Sequence, residues 1–321
     1  MGGRISERIM VGRARRWAAL SVVSNSALVA GKLVVGILGG SIAIIAEALH
    51  SGLDLVASVV TFFAVRISAQ PADKEHPYGH GKFENLGAMV EALLILVAAG
   101  IIVREAVGRL TDAQPPEMHG LGTAVMAVSA LVNWLVSGKL FNVARETDSI
   151  ALEGDAWHLR TDVWSSVAVA VGVALVWVTD WHILDPLCAL VVALLIGYAG
   201  LKLVYDTTRG LTDVALPKEQ EGRVRAIISS FGQSFYEFHG LRTRKSGRKV
   251  YIDFHLVGCR DRTLGSVHAL CDDIERALEK ELGNADVTIH VEPCSDGAYC
   301  ADRECSRSGK TPEDTGETEP A

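Results

Sequence analysis

Apolar residues form six long runs between residues 17 and 204, and polar residues fill the segments between them. Each run has about the 20 mostly apolar residues that a helix needs to cross a bilayer. The pattern therefore predicts six transmembrane helices, at residues 17–38, 41–66, 84–103, 119–141, 156–179 and 183–204. The short connectors, at 39–40 and 180–186, indicate antiparallel neighbours. The longer polar loops are predicted at 67–83, 104–118 and 142–155.

The pattern changes after Arg209, where the apolar runs become short. Two segments have the period of amphipathic helices and three alternate as strands do. The helices are predicted at 217–231 and 264–283, and the strands at 236–244, 249–258 and 286–292. This α-β-β-α-β order predicts a small α+β domain with an open-faced sheet at residues 211–295. The polar, acidic segment 296–321 is expected to be disordered.

Composition excludes two broad classes of protein. The chain of 321 residues has 31 basic and 38 acidic side chains, a net charge of −7, so no basic surplus favours nucleic-acid binding. Its mean hydropathy of +0.25 is high for a soluble protein. Most charged residues lie before residue 17, in short loops or after residue 202, so an ordinary soluble globule is excluded.

The distribution of Lys and Arg predicts the orientation, because cytoplasmic loops carry an excess of these residues. Only Arg104 and Arg109 lie on the side opposite to the N-terminus. Twelve lie on the N-terminal side: Arg4, Arg8, Arg13, Arg15, Arg16, Arg66, Lys74, Lys82, Lys139, Arg145, Lys202 and Arg209. Both termini are therefore expected in the cytoplasm. Residues 1–16 are interpreted as a retained basic cytoplasmic segment that precedes a transport domain at 17–210, because no cleavage site follows them.

The chain has six cysteines, which are too few and too unevenly spaced to indicate a disulfide framework. They are Cys188, Cys259, Cys271, Cys294, Cys300 and Cys305. Five follow the last predicted span, where a cytoplasmic location favours reduced thiols. The last three either bind a soft metal or have no metal role, and their spacing matches no recognised zinc motif.

Ionisable residues inside predicted spans are the main indication of function, since a charge within a bilayer is costly unless it is paired or liganded. His50 and Asp54 lie in the second span, and His158 and Asp162 lie in the fifth. Each pair is spaced i, i+4, which places both side chains on one helix face about 6 Å apart. Two such faces opposite each other would form an N₂O₂ set suited to Zn²⁺. Hydrogen bonds between packed helices are the alternative explanation of these pairs.

Three further polar residues are isolated within predicted spans. Asn25 and Lys32 lie in the first span, and Glu91 lies in the third. For each of them, a packing or water-lined role is as consistent with the sequence as direct contact with a metal.

Three motifs resemble the cation diffusion facilitator family of divalent-cation/proton antiporters. They are HSGLD in the second span, PADKEHPYGHGKFENL at 71–86 and HLRTD in the fifth span. The resemblance covers residues 10–295 and implies a homodimeric membrane exporter with alternating access, and not an enzyme. It assigns the transport site to His50, Asp54, His158 and Asp162. Histidine at position 50, where some members have Asp, is the pattern that the family associates with zinc preference over cadmium.

The resemblance also implies two accessory metal sites and a charge pair. One site lies in the loop between spans two and three, at Asp73, His76 and His80, where Pro77 and Gly79 oppose helix formation. The alternative is a simple turn that holds Lys82. The other site lies in the cytoplasmic domain, which resembles a metallochaperone. It matches five residues: His239, His255, His268, His290 and Glu292.

Lys82 and Asp213 match a charge pair that, in the family, connects the two domains.

Zinc loading requires deprotonated His and Asp ligands, so metal and protons compete for them. The sequence is therefore interpreted as a zinc exporter in the inner membrane, in contact with lipid and driven by protons, with zinc as cargo and as a structural or regulatory ion. Fe²⁺, Mn²⁺, Co²⁺ or Cd²⁺ as main cargo and a membrane-tethered metal sensor remain open. An intramembrane zinc protease is disfavoured because no H-E-x-x-H motif occurs.

Overall fold

The computed structural model describes residues 2–38, 42–111, 120–179, 181 and 183–294. It divides the chain into two compact units, Met1–Leu211 and Thr212–Ala321. The tail from residue 295, with Cys300 and Cys305, lies outside the described residues.

The first unit is helical, and its described residues form six long helices. These are α1 (Gly2–Leu38), α2 (Ile42–Ser68), α3 (Lys82–Thr111), α4 (Gly120–Thr147), α5 (Ile150–Thr179) and α6 (Leu184–Leu211). Four described stretches are long and apolar enough to cross a membrane: Ile9–Leu38, Lys82–Gly108, Ala127–Thr147 and Pro186–Leu211. The predicted six helices are thus confirmed as an α-helical membrane domain. α2 and α5, which carry the paired His and Asp residues, pack against each other within it.

Several helix ends differ from the prediction. The polar segment 142–155 is a loop of only two residues, Asp148 and Ser149, because α4 continues to Thr147 and α5 begins at Ile150. Asp148 makes the break with a left-handed backbone, φ 51°, which Asp tolerates better than most residues. Residues 104–111 extend α3, and residues 2–16 extend α1. These helices continue into polar sequence, so hydropathy alone could not locate their ends.

Small side chains let α2, α3 and α5 approach closely. Gly87 lies so near α2 that an added Cβ would be 2.5 Å from the Cβ of Ala64 and 3.9 Å from that of Ala151. Small residues are characteristic of such crossings in membranes, where close backbone packing holds helices together. The contact brings together α2, α3 and α5, which carry Asp54, Glu91 and His158.

The second unit has the predicted α-β-β-α-β order. Its elements are α7 (Lys218–Ser230), β1 (Glu237–Ser246), β2 (Lys249–Gly258), α8 (Leu264–Leu282) and β3 (Ala285–Pro293). The sheet order is β1-β2-β3, with β1 antiparallel and β3 parallel to β2. Thr263 caps α8 by accepting the N–H of Ser266, and Gly283 ends it with φ 78°.

The alternation of β2 separates two faces of the sheet. Ile252, Phe254 and Leu256 are buried with Ile228 of α7 and Ile274 of α8 in one apolar core. The intervening residues of β2 point to the opposite face, which is more exposed. That second face carries His239, His255 and His290.

Candidate metal centres

The first candidate centre lies between α2 and α5. Asp54, His158 and Asp162 offer ligand atoms that all lie within 4.8 Å of one another. The Nε2 atom of His158 is 3.2 Å from Oδ1 of Asp54. His158 and Asp54 have only 6% and 9% of their surface exposed. The helical spacing thus brings one imidazole and two carboxylates together inside the membrane domain.

The fourth predicted member of this centre, His50, lies in α2 one turn before Asp54. Its side chain lies outside the described residues, so its role as a ligand stays a prediction.

Other helices contribute polar contacts around the centre. Asn133 of α4, which sequence reasoning missed, donates a hydrogen bond of 3.3 Å to Oδ2 of Asp162. Lys32 of α1 donates to the hydroxyl of Ser51 at 2.7 Å. The sequence signal that could have identified Asn133 was its position as an isolated amide within the apolar run of the fourth predicted span. These contacts connect α4 with α5 and α1 with α2 through polar side chains.

Glu91 of α3 lies against the other side of His158. Its side chain is fully enclosed, and Oε1 accepts a hydrogen bond of 2.7 Å from the Thr61 hydroxyl. Its second oxygen, Oε2, is 3.8 Å from Nδ1 of His158. Neither of these two facing atoms has a hydrogen-bond partner among the described residues.

A second enclosed carboxylate, Asp155, lies one turn before His158. Ser58 donates to its Oδ1 at 3.0 Å, and Asn25 donates to Ser58 at 2.6 Å. Ser21 also contacts Ser58, at 3.2 Å. The sequence prediction placed Asp155 in a loop, whereas it is completely buried in α5. Its spacing of i, i+3 from His158 was the signal that could have identified it.

The loop between α2 and α3 brings together the second predicted set, Asp73, His76 and His80. Oδ1 of Asp73 accepts the backbone N–H groups of Glu75 and His76, at 2.9 and 2.6 Å. The His76 contact, more than that of Glu75, lowers the pKa of Asp73 from its ordinary value. Gly79 turns the chain with φ 85°, and the two imidazole centroids are 4.4 Å apart.

The Asp73 carboxylate also lies near both imidazoles. Its Oδ2 is 3.3 Å from Nε2 of His80, and its Oδ1 is 3.5 Å from Nδ1 of His76. His80 is buried and its other ring nitrogen contacts the Pro71 carbonyl oxygen at 3.2 Å. The loop is therefore an ordered arrangement of nitrogen and oxygen donors.

The third candidate centre lies on the exposed face of the small sheet. Strand register places His239, His255 and His290 in one row across β1, β2 and β3. Successive ring centroids are 5.1 and 4.9 Å apart. Glu292 lies beside this row, with Oε1 2.7 Å from Nδ1 of His255 and Oε2 3.6 Å from Nε2 of His239. His239, His255 and Glu292 form the group with metal-binding spacing.

Two of the five predicted residues are outside that group within one chain. His290 is adjacent, with Nε2 3.8 Å from Oε1 of Glu292. His268 lies on α8, where its nearest acidic partner is Asp272 at 3.8 Å, and its side chain is 74% exposed. The fold thus gathers three of these five residues, places a fourth beside them, and leaves His268 apart.

Lys82 and Asp213, the predicted charge pair, belong to different units. Lys82 donates to the Leu211 carbonyl at 3.2 Å in the first unit. Asp213 lies 3.4 Å from Arg244 in the second unit, with a left-handed φ of 57°. A direct pair between Lys82 and Asp213 stays a prediction.

Each of the three centres combines imidazole nitrogen with carboxylate oxygen. That donor set suits Zn²⁺ and other first-row divalent ions better than Mg²⁺ or Ca²⁺, which prefer oxygen alone. None of the centres includes a described cysteine: Cys188 and Cys259 are half-buried, and Cys271 and Cys294 are buried.

Comparison with known proteins gives matches over both units. Residues 18–212 match the model of the cation efflux transmembrane domain, and residues 216–294 match that of the cation efflux protein cytoplasmic domain. An uncharacterized transporter of Synechocystis is 36% identical over 283 residues, which cover 88% of this chain and 91% of the relative. The cation-efflux pump FieF of Yersinia pestis is 32% identical over 284 residues, with coverages of 87% and 94%.

Among solved structures, the Zn form of CzrB, described as a zinc transporter, is 39% identical to part of this chain. The match covers 25% of this chain and 92% of that one, with a TM-score of 0.25.

Proposed function

This chain belongs to the cation efflux family, the cation diffusion facilitators, and we propose that it exports Zn²⁺ from the cytoplasm in exchange for protons. The family is one of transporters. The observation that supports the proposal most is the convergence of Asp54, His158 and Asp162 between two membrane helices. With His50 as the fourth ligand, the centre would hold the cargo ion.

The position of this centre favours transport over a purely structural role. A charged group within a bilayer is costly unless it is paired, hydrated or liganded. Two carboxylates close together would repel each other in the empty state, and a dication would relieve that repulsion. A site that binds a dication within the membrane domain is what transport of the ion across the bilayer requires.

Zinc is the proposed cargo because of the ligand chemistry. Imidazole and carboxylate in a four-ligand set match the tetrahedral preference of Zn²⁺. The oxygen preference of Mn²⁺ makes it a poorer match, whereas Fe²⁺, Co²⁺ and Cd²⁺ are the competitors to test.

Protons would drive the cycle by competing with metal for the same donors. His and Asp bind zinc only in their deprotonated forms, so loading from the cytoplasm releases protons. Opening to a more acidic exterior would protonate the ligands, release the ion and reset the carrier. Both termini would face the cytoplasm, as the distribution of Lys and Arg indicates. The protein would lie in the inner membrane.

Zinc at the loop and cytoplasmic centres would have a structural or regulatory role. The row of histidines lies on an exposed sheet face, and His268 is also exposed. In a homodimer, His268 would reach the metal of the other copy and help to clamp two cytoplasmic domains together. Lys82 and Asp213 would add a charge pair between the two domains of the chain.

Metal uptake into proteoliposomes under an imposed pH gradient tests this function. The purified chain should accumulate Zn²⁺ and move protons in the opposite direction, with lower rates for Fe²⁺, Co²⁺, Cd²⁺ and Mn²⁺. His50→Ala and Asp162→Ala should abolish flux while the dimer stays folded. Normal flux in these variants would refute the transport site, and saturable binding without accumulation would identify a sensor instead.

A further inference from the structure

His158 lies between two carboxylates, one at each ring nitrogen. Its Nε2 is 3.2 Å from Oδ1 of Asp54, within the candidate transport centre. Its Nδ1 faces Oε2 of Glu91 across 3.8 Å, which is too long for a hydrogen bond. Asp54 is a proposed ligand, whereas Glu91 lies outside the group of residues with metal-binding spacing.

A single ring hydrogen on Nε2 would account for one short contact and one long one. An ionised carboxylate can only accept, so the contact with Asp54 requires the hydrogen on Nε2. A neutral ring then has a bare Nδ1, which faces a second acceptor in Glu91 and cannot bond to it. When a metal occupies Nε2, that nitrogen cannot carry hydrogen. The ring hydrogen then belongs on Nδ1, where the unpaired oxygen of Glu91 is ready to accept it.

The surroundings hold Glu91 in position for this contact. The Thr61 hydroxyl binds one carboxylate oxygen at 2.7 Å, which leaves the other oxygen directed toward the ring. Gly154 of α5 lies so close that an added Cβ would be 3.2 Å from Cβ of Glu91 and 3.4 Å from its Cγ. The side chain is fully buried, so water does not compete for its free oxygen.

We propose that Glu91 is a positioning residue for the transport site: it accepts the Nδ1–H of His158 and so presents Nε2 to the cargo ion. This proposal rests on the function proposed above. Histidines that bind metals almost always donate their other N–H to such a partner, which fixes the ring and raises its basicity. When Glu91 is ionised, its charge would also strengthen binding of a dication nearby. Glu91 therefore increases zinc affinity without touching zinc.

Substitutions of Glu91 separate its role as a hydrogen-bond acceptor from the effect of its charge. In Glu91→Gln, the amide oxygen can still accept from Nδ1, but the charge is lost. In Glu91→Leu, both acceptor and charge are lost. Loss of a residue that supports a metal ligand typically lowers affinity 10- to 100-fold. We expect a reduction of about 10-fold for Gln and closer to 100-fold for Leu, with Thr61→Val near the Gln value because it frees the carboxylate to rotate.

Glu84 offers a matched control on the same helix. It is also a buried carboxylate, but its oxygens accept from the hydroxyls of Ser68 and Ser149 at 2.9 and 2.6 Å. Glu84→Gln thus makes the same chemical change away from His158. His158→Ala serves as the reference for loss of a direct ligand.

The experiment measures Zn²⁺ affinity by competition with a chelating dye on the full-length chain, with the loop and cytoplasmic ligands replaced by Ala. Zinc flux in proteoliposomes and thermal unfolding without zinc are measured in parallel. The proposal predicts weaker zinc binding in the order Glu84→Gln, Glu91→Gln, Glu91→Leu, His158→Ala, and a raised KM for flux. In zinc-free protein, Glu91→Gln should keep the thermal stability of Glu84→Gln.

Three results would overturn the proposal. Unchanged zinc affinity in Glu91→Leu would mean that Glu91 does not support the site. A loss in Glu91→Gln as large as in His158→Ala would make Glu91 a direct ligand. Equal losses in Glu84→Gln and Glu91→Gln would indicate general packing. If the unsubstituted chain binds zinc but gives no flux, the transport function fails, while the affinity series still tests Glu91.

Discussion

Replacement of Gly87 by alanine should push α2 and α3 apart. An added Cβ would lie 2.5 Å from Cβ of Ala64, whereas carbon atoms in contact prefer about 3.5–4.0 Å. The helices would have to separate by roughly 1 Å, because the obstacle is a Cβ attached to helix backbone and cannot rotate away. Overpacking of this kind costs about 1–3 kcal/mol. Since α2 also carries Asp54, we expect slower zinc flux as well as lower stability.

Gly100→Ala is the matched control for this substitution. Gly100 lies on the same helix, and an added Cβ there meets nothing within 4 Å of the described structure. The melting temperature, measured by thermal unfolding in detergent, should be lower for Gly87→Ala than for Gly100→Ala, by about 2–4 °C per kcal/mol of lost stability. Zinc flux in proteoliposomes should fall only in Gly87→Ala. Equal stability and flux in the two variants would contradict the close crossing of α2 and α3.

Other predictions concern the loop and the cytoplasmic unit. The N–H of His76 lowers the pKa of Asp73, so that carboxylate stays ionised between about pH 5 and 8. Asp73→Asn should therefore weaken loop-site zinc binding throughout that range, as measured by dye competition. Burial raises the pKa of the Cys271 thiol, so thiol labelling of the folded chain at about pH 8 should be slower at Cys271 than at half-buried Cys259, compared through single Ser variants. Ile274→Ala should destabilise the cytoplasmic unit by about 2–5 kcal/mol in denaturant titration of the full chain, whereas Leu264→Ala, on the same helix but 86% exposed, should change it by less than about 0.5 kcal/mol.

Sequence patterns predicted the helices and strands because each depends on local periodicity. Long apolar runs identified the six membrane helices, and alternation identified β2 through Ile252, Phe254 and Leu256. Helix ends were less predictable, since polar stretches such as 150–155 are helical although they resemble a loop in composition. The left-handed backbone at Asp148, where the chain turns, has no strong sequence signal.

The sites depended on contacts between distant residues, which sequence shows only in part. The i, i+4 pairs and the loop motif identified the proposed ligands, and the structure brings most of them together. Helix packing produces the contacts of Glu91 with Thr61 and His158, which join α3 with α2 and α5. It also produces the contact of Asn133 with Asp162, which joins α4 with α5. No local spacing could specify them, so isolated polar residues in apolar runs were the available indication.

X-ray diffraction at the zinc absorption edge tests the central claim most directly. Crystals of the zinc-loaded full chain should show an anomalous peak between α2 and α5, within about 2.0–2.2 Å of ligand atoms of Asp54, His158 and Asp162. The peak should disappear in His158→Ala crystals while the peaks at the loop and cytoplasmic centres remain. Zinc at those two centres, without a peak between α2 and α5 in the unsubstituted protein, would contradict the account.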